Sequence, residues 1–328
     1  MEACGAGKKG WYFGGGCGIL SLYRNELAIT DGRNLTKYYG SYMKIVERCD
    51  IMTYFTAFLL GLIQGVAEFL PISSSGHLAI AQNLLGMSQA GSVPEFFDVL
   101  LHLGTLVAVF AAYWHEICDM VVEFFRGIGD LVHRTTPTPV PPARRLILLI
   151  VVGTLPLFAV LPIRKAVQGL SGNMFFVGGA LIFTGLLLFV CDGVRKGRKT
   201  ERSATWLDAL LVGVGQALAT LPGVSRSGMT ITAGCFVGYE RQFAVRFSFL
   251  LSIPAILGAN ILSIGDAAAA GINTAEVPMY LVGVVTAAVV GYACIRLLKY
   301  VAEKGRFGAF AYYCWAVGVL TLVLQAVK

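Results

Sequence analysis

The chain has 328 residues, of which 56% are hydrophobic and only 14% charged, with a mean hydropathy of +0.70. A soluble domain carries about 25% charged residues, so this composition excludes a globule covered by water. The formal net charge of +7 does not point to nucleic acid, because the basic residues crowd two short stretches: Arg195, Lys196, Arg198, Lys199 and Arg202, then Arg296, Lys299, Lys304 and Arg306. That is the positive-inside bias of cytoplasmic loops.

Taken in chain order, residues 1–51 are Gly-rich and of mixed charge, with no spanning segment and no signal-peptide organisation. The expectation is that native translation begins at Met52, or that this extension is disordered, leaving 52–328 as a single integral membrane domain. An apolar stretch of about 34 residues follows, interrupted by GVAEFLPISSSGHLAI at 65–80. Val99–Trp114 is the first charge-free run. Leu146–Ile163, Ala166–Cys191, Phe247–Gly265, Val277–Ile295 and Phe307–Val327 follow, with no Asp, Glu, Lys or Arg in any of them. Roughly 20 residues span a bilayer core as a helix, and runs this long exclude barrel strands. The fold class is all-α, a polytopic membrane protein. The eight cysteines form no CxxC pair and read as small hydrophobes rather than a disulfide framework or metal cage.

The polar interruption has an echo. Gly61, Gln64, Ser73, Ser75 and Gly76 recur 152 residues later as Gly213, Gln216, Ser225, Ser227 and Gly228, with Pro71 answered by Pro222. Each copy reads as a broken helix pair whose halves are too short to cross alone; two ordinary Pro-kinked transmembrane helices are the plainer alternative. With each pair re-entrant, six crossings remain, at about 96–114, 146–163, 174–192, 243–264, 278–298 and 309–327. The Arg126–Arg145 and Arg296–Arg306 loops then share the cytoplasmic side with Arg195–Arg202, and only Arg164 and Lys165 dissent. The expected architecture is two inverted-topology repeats, about 53–192 and 206–327, each a re-entrant helix pair plus three transmembrane helices. The two polar clusters would meet near the midplane.

Ionisable residues inside a membrane are functional candidates by default. Ser74 and His77 are three apart and share a face if a half-helix starts at the serines, which makes a nucleophile–base pair. A half-helix N-terminus suits an anion. Arg226, between Ser225 and Ser227, offers a planar fork for phosphate oxygens. Glu68 suits a divalent cation held against phosphates. The sum is a phosphate site. Plainer readings stand beside it: Ser73–Ser75 as helix caps, His77 bonded to a backbone carbonyl, and Glu68–Arg226 as a structural ion pair. Gln64 and Gln216 would only satisfy broken-helix backbone. Asp98 reads as a first-turn acid, His102 as a satisfied core histidine, Arg246 as a snorkelling cation, and His115 and His133 as solvated.

GLIQGVAEFLPISSSGHLAI, FFDVLLHLGT and LPGVSRSGMTITAGCFVGYERQFAVRFSFLLSIPAILGA resemble the undecaprenyl-diphosphate phosphatase (bacitracin-resistance) family from about residue 53 to the end. The resemblance implies a bacterial plasma-membrane enzyme that hydrolyses undecaprenyl diphosphate to the monophosphate and phosphate. That reaction recycles a cell-wall lipid carrier and confers bacitracin resistance. It also implies dependence on Mg²⁺ or Ca²⁺ and a homodimer among membrane lipids, with no nucleic acid. The family motifs fall on Gln64, Glu68, Ser73, Ser74 and His77, and on Pro222, Gly223, Ser225, Arg226, Ser227 and Gly228; of these Gln64, Ser73, Ser225, Ser227 and Gly228, with Ser75, would line the substrate. Gln64 stands where some members have glutamate, leaving Glu68 as the metal ligand. The expected mechanism has Ser74 attacking phosphorus and His77 as base then acid, with Arg226 and Glu68 handling charge. A rival assignment makes His77 the nucleophile. A lipid-carrier transporter is the competing class, since broken helices also build transporters. A phosphatidic-acid-type phosphatase needs a second histidine after SR, and no histidine follows His133.

Overall fold

The computed structural model describes residues 52–85, 95–135, 137–270, 276–304 and 307–327. The expectation for residues 1–51, and parts of the loops expected outside, lie beyond them. The chain begins with α1 (Tyr54–Phe69) and α2 (Ser74–Leu84), then α3 (Glu95–Ala112), α4 (Trp114–His133) and α5 (Pro142–Thr154). A 3₁₀ segment (Leu155–Ile163) and a short α6 (Arg164–Gly169) lead to α7 (Met174–Gly193). Next come α8 (Trp206–Leu218), α9 (Arg226–Phe236), α10 (Arg241–Ala270), α11 (Val277–Lys304) and α12 (Gly308–Val327). Among the described residues the one β contact is an isolated bridge between Lys199 and Tyr239.

Among the described residues five helical segments are long and apolar enough to cross a membrane: Pro142–Gly172, Met174–Gly193, Arg241–Ser263, Val277–Lys304 and Gly308–Val327. With 31, 20, 23, 28 and 20 residues, they make this an all-helical, multi-pass membrane protein. The segment expected to cross at 96–114 behaves differently. Phe96–Ala112 bends by 85° at Tyr113 into Trp114–His133, and only the two together are long and apolar enough to cross.

The stretch read as a loop across Arg126–Arg145 is therefore corrected at its ends: its first eight residues close α4 and its last four open α5. α4 is amphipathic, with Val121, Phe124, Phe125 and Ile128 exposed on it and charged residues interleaved. No charge-free run marks it, which is why a search for spans passes over it. Arg144 holds it to α5, donating to Asp130 at 2.8 Å and to Glu123 at 3.1 Å.

Matching caps start the two broken pairs. Thr53 accepts from the Thr56 amide in a capping box at α1, and Thr205 does the same with Asp208 at α8. Ser73 caps α2 by accepting from the Gly76 N–H, and Ser225 caps α9 by accepting from the Gly228 N–H. All four capping residues keep the 152-residue offset. At 16 and 13 residues, α1 and α8 rise about 24 and 20 Å, short of a ~30 Å hydrocarbon core.

Packing crosses between the halves. α1 runs along α11 and α8 along α5, while α7 pairs with α12 and α3 with α10. Small residues allow the close approaches: Gly61 lies on the Gly283 backbone and Gly213 on the Gly153 backbone. Phe249 of α10 packs edge-on against Phe69 at 5.4 Å and Tyr113 at 6.1 Å between ring centroids. One buried cluster thus ties the end of α1 to the α3–α4 bend. The described cysteines, Cys118, Cys191, Cys235, Cys294 and Cys314, are free, and all but Cys118 are buried.

Candidate active site

The site forms where the two helix breaks touch. A Cβ built on Gly76 would lie 3.0 Å from the Gly223 Cα, and one on Gly228 would lie 3.4 Å from the Pro71 Cβ. Ser75 Oγ accepts from the Gly223 N–H at 3.4 Å, and Ser227 Oγ donates to the Leu70 carbonyl at 3.3 Å. Thr184 of α7 braces the second break, donating to the Gly223 carbonyl at 3.2 Å and accepting from the Ser225 N–H at 3.1 Å. Ser73 holds φ 75°, ψ 102°, a left-handed φ that is costly for a residue with a Cβ. It turns the chain so that α2 starts beside the last turn of α1.

Glu68 is the hub. Its side chain is 4% exposed and its Oε1 takes Arg226 Nη2 at 2.6 Å. Its Oε2 accepts from Ser74 Oγ at 2.6 Å and from Gln64 Nε2 at 3.1 Å. Ser74 and Arg226 are the first residues of α2 and α9 and occupy the same place in the two copies. One repeat thus supplies a hydroxyl at a half-helix N-terminus and the other a guanidinium. The first turns of both helices carry N–H groups without intrahelical partners, which favour an anion there. A narrow cleft with an empty volume of about 220 Å³, open mouth included, is lined by Glu68, Phe69, Arg226, Ser227, Ser248, Phe249 and Ser252.

Of the residues expected in the site, Gln64, Glu68, Ser74 and Arg226 converge. Ser73, Ser225, Gly228 and Ser227 shape the breaks, through caps and the Leu70 carbonyl bond. His77 is not bonded to the expected partner. Its Nδ1 is 2.8 Å from the Ser73 carbonyl and its Nε2 is 2.9 Å from Tyr313 Oη, so its hydrogen bonds go to these groups rather than to Ser74. The ion pair Glu68–Arg226, weighed as a structural alternative, is present. Arg246 pairs with Glu201 and lies over the Phe243 ring, while His115 and His133 are exposed.

His102 was not expected here. Its Nδ1 bonds the Asp98 carbonyl at 2.8 Å, as a satisfied histidine would, yet its Nε2 stands 4.0 Å from Glu68 Oε2. Ser248, also missed, bonds Thr230 at 2.6 Å and lines the cleft with Ser252. Their i,i+4 spacing inside an apolar run was the available signal. Removing His102 takes an imidazole from beside a buried carboxylate. His102→Ala is expected to lower kcat/KM about tenfold, about 1.4 kcal/mol on the scale of one interaction with a charged group, measured as phosphate release.

Among the described residues no group of three or more His, Cys, Asp and Glu side chains is placed for a metal ion. The local donors are one carboxylate, hydroxyls and Gln64 Oε1, a buried acceptor with no hydrogen-bond partner. That all-oxygen set fits a hard cation that takes its remaining ligands from phosphate and water.

A multi-pass membrane protein that brings a hydroxyl and a guanidinium, at two half-helix starts, against one buried carboxylate has the groups that a phosphate needs. The family pattern described as bacitracin resistance protein BacA matches residues 57–320, and the chain belongs to that family. It is 37% identical over 284 residues to an undecaprenyl-diphosphatase of Methanosphaera stadtmanae, covering 83% of this chain and 98% of that protein. Its identity to the undecaprenyl-diphosphatase of Desulfatibacillum aliphaticivorans is 41% over 285 residues, 84% of this chain and all of that one. The protein of the same name from Alkaliphilus metalliredigens is 38% identical over 279 residues, 84% and 99% of the two chains.

Proposed function

We infer that this protein is an undecaprenyl-diphosphatase, the activity in the names of its relatives. The observation that carries it is the bond from Ser74 Oγ to a carboxylate already paired with Arg226. In the first step Ser74 Oγ bonds to the terminal phosphorus and its proton passes to Glu68 Oε2. The anhydride P–O bond breaks, its electron pair leaving with undecaprenyl phosphate, whose low basicity requires no acid. In the second step water attacks the phosphoseryl phosphorus and releases phosphate. Ser74 leaves with the proton held by Glu68, and His77 takes the proton of the water. Arg226 and the first-turn N–H groups of α2 and α9 stabilise the equatorial oxygens. Mg²⁺ or Ca²⁺ would be held by Glu68 and Gln64 Oε1 with phosphate oxygens, where it supplies charge neutralisation.

The same reading includes two inverted repeats, each a re-entrant pair with three crossings, in the plasma membrane. The paired caps, the abutting breaks and the exchanged packing of α1 on α11 and α8 on α5 support it. The prenyl chain would lie among apolar helix surfaces, in a homodimer surrounded by lipid.

The test is phosphate release from undecaprenyl diphosphate by purified protein in detergent, with Mg²⁺ or Ca²⁺. Ser74→Ala is expected to lose at least ~10³-fold in kcat, and Arg226→Ala about 10²–10³-fold, the scale of one charge-stabilising donor. No release by folded wild type with either cation would sink the enzyme and favour a lipid-carrier transporter.

A further inference from the structure

We propose that Tyr313, from the last helix, holds His77 and passes it the proton of the attacking water. The Ser73 carbonyl 2.8 Å from His77 Nδ1 can only accept, so Nδ1 carries a proton in every charge state of the ring. The reactive nitrogen is therefore Nε2, and the group facing it is Tyr313 Oη at 2.9 Å. A tyrosine hydroxyl donates to the lone pair of the neutral ring and accepts from the N–H of the charged one. It therefore suits both states of an imidazole that must change charge during turnover. A carboxylate partner would favour only the charged ring and an ammonium only the neutral one. The two rings also lie nearly parallel, 8° between planes with centroids 5.6 Å apart, which restrains the imidazole's rotation.

Tyr313 is placed to do this by its neighbour. Cys314 Sγ lies 3.8 Å from the Pro71 carbonyl, so α12 rests on the first helix break itself. The hydroxyl crosses 236 positions of sequence to reach a ring whose other nitrogen is held within its own half-helix. The second broken pair supplies Arg226 to Glu68, and α12 supplies Tyr313 to His77. Glu68 and His77 of the first repeat are thus each completed from the second. In the water-activating step the water's proton passes to Tyr313 Oη as that hydroxyl gives its own to His77 Nε2, the one lone pair of the neutral ring, and this role rests on the proposed part of His77 in the phosphatase reaction.

Tyr313→Phe, His77→Asn and the double variant, each assayed for phosphate release from undecaprenyl diphosphate, form the test, with a ¹⁵N NMR measurement beside them. Tyr313→Phe is expected to lower kcat about 10- to 100-fold, the scale of an orienting partner to an imidazole, with KM within about twofold. In the His77→Asn background the same change is expected to cost nothing further, since the two act as one unit. The chain has four histidines, so the His77 signal is identified by its loss in His77→Asn. It is expected as the Nδ1–H tautomer in both proteins, with the Nε2 resonance shifted in Tyr313→Phe by loss of the hydroxyl's hydrogen bond. Equal losses from Tyr313→Phe with and without His77, a wild-type kcat in Tyr313→Phe, or an unchanged Nε2 resonance would overturn the proposal. Wild-type protein that releases no phosphate would instead overturn the enzymatic reading, and the Nε2 resonance would still decide whether Tyr313 holds His77.

Discussion

Glu68→Gln is expected to lower kcat for phosphate release by about 10³-fold, within the range for losing a general base. The substitution keeps the size of the side chain and, through its amide oxygen, an acceptor for Arg226. What it removes is the ability to take a proton from Ser74, whose Oγ lies 2.6 Å from Glu68 Oε2. Glu68→Ala should be worse in a different way. It leaves the Arg226 guanidinium, 25% exposed, without its counter-charge, and breaking a buried pair costs about 3–5 kcal/mol. Because Arg226 keeps some access to water, the lower end of that range is expected. Activity and melting temperature in detergent separate the two effects: both variants remove the counter-charge of Arg226 and should be inactive, but Glu68→Gln keeps an acceptor for the guanidinium and should lose less stability than Glu68→Ala. A Glu68→Gln protein retaining more than about a tenth of wild-type kcat would move the base elsewhere, with His77 first in line.

The part of this site that depends on local rules was legible in the sequence. Ser73 as a cap, the 152-residue offset, and the shortness of the two broken pairs follow from spacing and composition alone. The partner of Ser74 did not follow, because the i,i+3 rule applies within one helix and the relevant contact crosses a break. Ser73 at positive φ folds the start of α2 back on the last turn of α1, and that geometry brings Glu68, six residues upstream, to Ser74. On α2 itself His77 does lie one turn beyond Ser74, but its Nδ1 is taken by the Ser73 carbonyl, leaving Nε2 for another helix. Long-range partners such as Tyr313 and Thr184 carry no local signal. His102 was passed over because its Nδ1 bond to the Asp98 carbonyl is what an ordinary core histidine makes; only the tertiary approach of α3 to α1 reveals its second nitrogen. α4 escaped because charge-free length was the criterion for a helix, and an amphipathic helix fails that criterion by construction.

Adding one methyl group at either of two glycines is expected to test whether the halves are packed alike. In a helix interior Gly→Ala ordinarily stabilises by about 0.5–1 kcal/mol, through backbone entropy. At Gly61 and Gly213 the sign should reverse. A Cβ on Gly61 would stand 2.9 Å from the Gly283 Cα, and one on Gly213 would stand 2.9 Å from the Gly153 Cα, with a carbonyl oxygen closer still in each case. Those neighbours are backbone and cannot rotate away, so the helices must separate. Overpacking of this kind costs about 1–3 kcal/mol. Gly179 in α7 supplies the control, since a Cβ there meets nothing within 4 Å. Gly179→Ala should leave thermal stability in detergent unchanged or slightly raised, while Gly61→Ala and Gly213→Ala should lower it by similar amounts. Activity should fall with Gly61→Ala beyond what stability explains. α1 carries Gln64 and Glu68 one and two turns further on, and pushing α1 off α11 moves both against Ser74 and Arg226. A neutral Gly213→Ala beside a costly Gly61→Ala would mean that α8 on α5 is not the counterpart of α1 on α11, and the repeat would then be a likeness of sequence without equivalent packing.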